Sequence, residues 1–197
     1  MSLRARKKAE TVAAIRHAAA RLFAEKGFAE TRTRDIAEAA GIATGTLFNY
    51  APTKEAVVLL LWKDLAETAV REGLAAAESL DDPTERCVAL FRPILTFYGA
   101  DLELGRVFLQ RLMFEDDSDP ELRALNEGFI GQIAILVAPW AGLDALPAAL
   151  NVFAAYYTAL TMLLAERLPD VDATLTLFRQ LIRTQVRGWP SPATEPS

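Results

Sequence analysis

The sequence predicts an all-α protein: a small N-terminal domain of three helices, then a larger helical body. Three observations predict it. Leu and Ala dominate a chain that is 52% hydrophobic and 24% charged, enough apolar material for a core and too much for wholesale disorder. Apolar residues recur at spacings of three and four, the period of a helix with one buried face. Gly and Pro number only ten each, and most of the prolines fall near segment edges.

The first helix is predicted from about Lys8 to Lys26. Val12, Ile15, Ala19, Leu22 and Phe23 lie on one face, and Gly27 stands where a glycine ends a helix. A second helix starts at Thr33, read as its N-cap, and stops before Gly41. A third spans about 44–50. Pro52-Thr53-Lys54-Glu55 opens a fourth, running to about Ser79 with Val57, Leu60, Leu61, Leu65 and Leu74 inward. Asp81-Asp82-Pro83 opens a fifth, because proline is tolerated in a first turn, and Pro93 is expected to kink it. Further helices fit about 101–114, 119–138, 145–168 and 171–188. Trp140-Ala141-Gly142-Leu143-Asp144 reads as a loop, and the Pro-rich stretch 191–197 as a flexible tail.

Charge divides along the same line. Residues 1–54 carry ten Lys/Arg against five Asp/Glu, a net of +5, and residues 55–197 carry eleven against twenty-one, a net of −10. A basic head on an acidic body points to an anionic partner for the head. Arg4 to Lys8 read either as a disordered arm reaching DNA phosphates or the minor groove, or as plain solvated charge. The single cysteine, Cys87, allows no disulfide within the chain and no Cys-based zinc site. The basic N-terminus lacks the apolar stretch of a signal peptide, and the longest apolar run, 56–62, is far short of a membrane span. A cytoplasmic protein with no membrane association is expected.

The sharpest local signal lies between residues 33 and 50. Two short helices crossing steeply need a small residue at their approach, supplied by Ala37. The turn needs a residue tolerant of positive φ, supplied by Gly41. Ile36, Ala40, Ile42 and Leu47 would bury the inner faces. Thr44, Thr46, Asn49 and Tyr50 remain on the outer face of the second of these helices, free to enter a major groove.

The wider segment 11–58 resembles the N-terminal domain of TetR-family regulators. The resemblance rests on Ile15 through Phe28 (IRHAAARLFAEKGF), Thr33, Ile36 to Gly41 (IAEAAG), Gly45 to Tyr50 (GTLFNY), and Lys54-Glu55. It covers about a quarter of the chain and implies a DNA-binding domain over 1–54 and a ligand-binding and dimerisation domain over 55–190. By position it implies that Thr33, Tyr50 and Lys54 hold phosphates and that Arg34, Thr44, Thr46 and Asn49 meet base edges. Arg34 suits guanine or, alternatively, a phosphate; Asn49 suits adenine. Three positions depart from the family pattern. Ala43 stands in place of a Ser or Thr cap, Phe48 in place of a tyrosine, and Ala51 in place of a phenylalanine.

A regulator of this kind needs an input. Trp62, Phe91, Leu95, Tyr98, Phe108, Leu112, Phe129, Ile133 and Tyr156 are candidates to line a cavity for an apolar or aromatic effector of unknown identity, with Arg111 among the polar groups that would orient it. Each also reads as ordinary core. Leu150, Phe153, Tyr157, Leu160 and Leu164, and then Leu175, Phe178 and Ile182, form seams suited to helix pairing. The resemblance implies that these two helices form a homodimer interface, and a two-fold dimer would read two half-sites of a double-stranded DNA operator. It also implies a repressor released when an effector shifts the fourth helix. No cofactor, metal site or catalytic activity is expected. The acidic run Glu115-Asp116-Asp117-Ser118-Asp119 reads as a cap for the helix after it rather than as a magnesium site. The alternative function is a helical small-molecule-binding protein or enzyme whose helix-turn-helix is structural.

Overall fold

The computed structural model of the protein describes residues 2–114, 120–141 and 144–189; the acidic run 115–119 and the tail 190–197 lie outside them. The helices among the described residues are α1 (Leu3–Glu30), α2 (Thr33–Ala39), α3 (Thr44–Phe48), α4 (Lys54–Glu78), α5 (Pro83–Gly99), α6 (Leu102–Phe114), α7 (Pro120–Ala141), α8 (Ala145–Leu164) and α9 (Val171–Val186). Most bounds agree with the periodicity to within two or three residues. Two expectations are corrected. Helix α1 begins at Leu3, about a turn and a half early, with the Ser2 hydroxyl accepting a hydrogen bond from the Ala5 N–H. Trp140 and Ala141 belong to α7, because the Trp140 side chain is buried and holds the helix on its core.

The chain packs as two compact units. The first holds the residues up to Leu65 together with Glu103–Met113; the second holds Ala66–Leu102 and the chain from Phe114 on. By packing, the division between the units falls inside α4, and most of α6 belongs to the first unit.

In the first unit, Ile15, Ala18, Ala19, Leu22 and Phe23 of α1 form the expected buried face. They meet Ile36, Ala37, Leu47, Ala51, Val57, Val58 and Trp62 in one core, to which α6 adds Leu104, Phe108 and Leu109. The Trp62 and Phe108 rings lie 5.7 Å apart. Helix α1 is broken at Gly27, whose φ of 77° and ψ of 167° lie in a region open essentially to glycine alone. The Thr31 hydroxyl donates to the Gly27 carbonyl at 2.7 Å and fixes the turn. Arg16 ties α1 to α4, donating from Nε to the Leu60 carbonyl at 2.7 Å and from the guanidinium to the Asp64 carboxylate.

The second unit is built on an aromatic cluster. The Phe91 ring stacks on Tyr156 at 4.4 Å and meets Phe129 and Phe178 edge-on at 5.6 and 5.0 Å. Burial holds the Tyr98 and Tyr156 hydroxyls well above their usual pKa, so both stay neutral. Cys87 is buried in α5 and its thiol is pushed up to about 12 by burial, which keeps it protonated and unreactive. Helix α8 is the one described helix long and apolar enough to cross a membrane, with a mean hydropathy of 1.3. Its apolar residues Val152, Tyr156, Leu160, Leu163 and Leu164 are buried in this unit.

Helices α5 and α9 are joined by a two-pronged ion pair. Arg179 donates from Nε and from a terminal nitrogen to the two Glu85 carboxylate oxygens, at 2.8 and 3.0 Å. This hydrogen bond, more than the charge alone, holds the Glu85 carboxyl below its ordinary value of 4.5. The stabilisation is therefore complete above the unfolded pKa and is lost as pH falls through the lowered folded value. Both side chains keep partial solvent access, 39% for Glu85 and 29% for Arg179. Screening then limits the pair to roughly 0.5–1 kcal/mol. Urea unfolding is expected to show Glu85→Gln destabilised by about that amount near neutral pH, with the gap closing in acid. A gap that persisted in acid would assign the loss to packing instead.

Candidate nucleic-acid interface

The site is built from α2, the turn after it and α3. Helix α2 buries Ile36 and Ala37 and leaves Arg32, Arg34 and Glu38 exposed. Ala37 is 1% exposed, leaving no room for a larger side chain at the crossing. Gly41 has φ of 68°, the left-handed conformation that the sequence required at this turn. The Ile42 N–H donates to the Ala37 carbonyl at 3.0 Å and closes the turn. Helix α3 is short and buries only Leu47. It begins without a side-chain cap, because Ala43 occupies the cap position and has no hydroxyl to offer. The same is true of α2, whose cap residue is Arg32; Thr33, expected as the cap, is instead the first helical residue.

Anchored by Leu47, α3 turns its other faces outward. Asn49 is exposed, and Thr44, Thr46 and Tyr50 are half-buried. Thr46, Asn49 and Tyr50 share a groove of about 640 Å³ with the start of α1. Arg34 is exposed on α2, and neither its guanidinium nor the Asn49 amide has a partner among the described residues. Two further departures from the expected pattern are accommodated. Ala51 is fully buried, and Phe48 stands 45% exposed where a tyrosine hydroxyl would add a donor.

Lys54 has partners of its own within the chain. Its Nζ donates to the Phe28 carbonyl at 2.6 Å and the Ala29 carbonyl at 3.1 Å, and lies 4.2 Å from the centre of the Phe28 ring. Phe28 and Ala29 stand in the last turn of α1, where carbonyls lack i+4 partners, and they accept the ammonium alongside the Thr31 N–H that reaches the Phe28 carbonyl. The Phe28 N–H in turn donates to the Glu103 carboxylate of α6 at 3.0 Å. Sequence reasoning missed Glu103 and Arg16 because both act across 44 or more residues, and no local pattern marks them.

The effector candidates divide between the two units. Trp62, Phe108, Arg111 and Leu112 belong to the first; Phe91, Leu95, Tyr98, Phe129, Ile133 and Tyr156 belong to the second. Phe91, Leu95, Tyr98, Phe108 and Ile133 are each at most 2% exposed. Of the dimer candidates, Leu160, Leu164, Leu175, Phe178 and Ile182 are buried within a single chain. Their side chains thus pack in the core of their own chain. Leu150, 47% exposed, and the half-buried Phe153 and Tyr157 remain accessible, as does the neighbouring Leu146 at 57%.

This arrangement, two short helices around a left-handed glycine with a polar outer face, is that of a helix-turn-helix. The family model described as "Bacterial regulatory proteins, tetR family" matches residues 15–61. The chain is 36% identical over 73 residues to the HTH-type transcriptional repressor KstR2 of Mycobacterium tuberculosis, covering 37% of this chain and 36% of that one. It is 40% identical over 88 residues to the HTH-type transcriptional regulator EthR of Mycolicibacterium smegmatis, covering 45% and 40%. The matches thus span well under half the length of these curated relatives. The solved structure of the transcriptional regulator FadR from Bacillus subtilis, in complex with stearoyl-CoA, superposes with a TM-score of 0.63 at 20% identity, covering 89% of this chain and 97% of that one. That likeness establishes the fold over nearly the whole chain. Over residues 15–61 the chain is thus similar to the N-terminal segment of the tetR family of bacterial regulatory proteins.

Proposed function

We propose that the protein is a DNA-binding transcription regulator, a repressor that leaves its operator when a small apolar or aromatic effector binds. The observation that carries this reading is α3, held by Leu47 with Thr46, Asn49 and Tyr50 facing outward, beside the exposed Arg34. Such a face presents hydrogen-bond donors and acceptors to the edges of bases in a major groove. The names of KstR2 and EthR support regulation, and that of KstR2 supports repression. The stearoyl-CoA bound to FadR, together with the aromatic cluster around Phe91, supports an effector with a large apolar part.

A single α3 reads few base pairs, so the working unit is a homodimer in the cytoplasm, paired through the accessible stripe of Leu146, Leu150, Phe153 and Tyr157 on α8. Effector binding shifts the dimer toward a state whose α3 helices no longer match two successive grooves. This requires tighter effector binding to that state. Selection of bound fragments from sheared genomic DNA tests the reading. It is expected to recover an inverted repeat whose half-sites lie about 10 base pairs, or a multiple, apart. Recovery of fragments without a shared sequence would leave the helix-turn-helix a structural element only.

A further inference from the structure

The start of α1 carries a charge pattern that the recognition helix does not explain. Arg4, Lys7, Lys8 and Thr11 are spaced i, i+3, i+4 and i+7, which places them on one face once the segment is helical. It is helical here from Leu3 on, capped by Ser2. That face forms one wall of the groove whose other wall is Thr46, Asn49 and Tyr50 of α3. Arg6 does not line the groove and is paired with Glu10 at 3.5 Å. The three groove cations are exposed and have no carboxylate partner among the described residues. Like charges one turn apart repel each other, so this face, uncompensated among the described residues, favours an external polyanion.

We propose that this strip is a sequence-independent phosphate site: one phosphodiester strand of duplex DNA lies along the groove, with Arg4, Lys7 and Lys8 on its phosphates. The Tyr50 hydroxyl faces the same strand from the other wall, and Thr46 and Asn49 beside it are left to the base edges. Arg4 and Lys8 stand about 6 Å apart along the helix, enough to meet consecutive phosphates. The proposal rests on the DNA-binding reading and divides its work. The strip adds affinity for any duplex, because phosphate contacts carry no sequence information, while α2 and α3 select the site.

The test uses the full chain with Arg4→Gln, Lys7→Gln and Lys8→Gln combined, since glutamine keeps helix propensity and loses only charge. Arg6→Gln serves as the off-groove control. Affinity for a genomically selected site and for a random duplex is measured across salt concentrations. Each phosphate contact contributes about 0.9 to the slope of log affinity against log salt. The triple variant is expected to lower that slope by about 2–3 on both duplexes, leaving the ratio of their affinities unchanged, and Arg6→Gln is expected to leave the slope as it was. An unchanged slope in the triple variant overturns the proposal while the DNA-binding reading stands. A shift in base preference beside the half-sites overturns it too, by making the strip a base reader. So does an Arg6→Gln loss as large as that of one groove cation. A wild-type chain whose binding ignores salt removes both readings together.

Discussion

Gly73→Ala is expected to destabilise the protein by about 3 kcal/mol or more. A Cβ at this position of α4 would stand 2.1 Å from the Leu90 carbonyl oxygen and 2.8 Å from its carbon. Both are backbone atoms of α5, so no side chain can swing aside and the two helices must part. Intrinsic helix propensity argues the other way, favouring alanine over glycine by up to about 1 kcal/mol. The clash outweighs that preference and sets the sign. Gly131→Ala in α7 is the internal control. No atom lies within 4 Å of its added Cβ, so there propensity acts alone and a gain of about 0.5–1 kcal/mol is expected. Thermal unfolding of the two variants should move in opposite directions. An unchanged midpoint for Gly73→Ala would contradict the crossing of α4 and α5.

Arg34→Ala and Asn49→Ala should each weaken binding to the selected operator by about 1–3 kcal/mol, roughly five- to 150-fold, if each makes a two-pronged contact to a base. Both side chains are exposed and unpartnered among the described residues, so the melting temperature should not move. A base-edge contact also leaves a signature that a phosphate contact does not. The variant loses discrimination at one base pair while its affinity for random DNA is kept. For Arg34, where the sequence leaves guanine and phosphate both open, that distinction decides. Uniform weakening on every duplex would assign it to the backbone. Lys54→Ala should behave otherwise, because its ammonium holds the Phe28 and Ala29 carbonyls. Its effect should appear in thermal stability at least as much as in DNA affinity.

Much of the fold was legible because helices announce themselves locally. The apolar face from Ile15 to Phe23, the Pro83 start and the Gly27 and Gly41 breaks are all short-range signals, and the structure places each as read. The first turn and a half of α1 escaped because its periodic residues are cations rather than apolar groups. Arg4, Lys7 and Lys8 carry the helical spacing in charge, which hydrophobic periodicity does not register.

Other limits are physical rather than matters of pattern. A helix seam looks the same whether its partner lies in the same chain or in another. Leu160, Leu175 and Phe178 therefore read as interface although their own unit buries them. The same applies to Phe91 and Tyr98, whose spacing fits a pocket wall and a solid core equally. Long-range polar contacts were invisible. Glu103 reaching Phe28 across 75 residues, and Lys54 held by carbonyls in the last turn of α1, follow only from the folded chain.

If the outer faces of α2 and α3 read a DNA sequence, the full chain must tell its genomically selected site from a random duplex of equal length. The decisive measurement is its affinity for both, at several salt concentrations. Binding to the selected site is expected to be at least about a thousandfold tighter, with both affinities falling steeply as salt rises. Equal affinities for the two duplexes at every salt concentration would contradict sequence reading by this face.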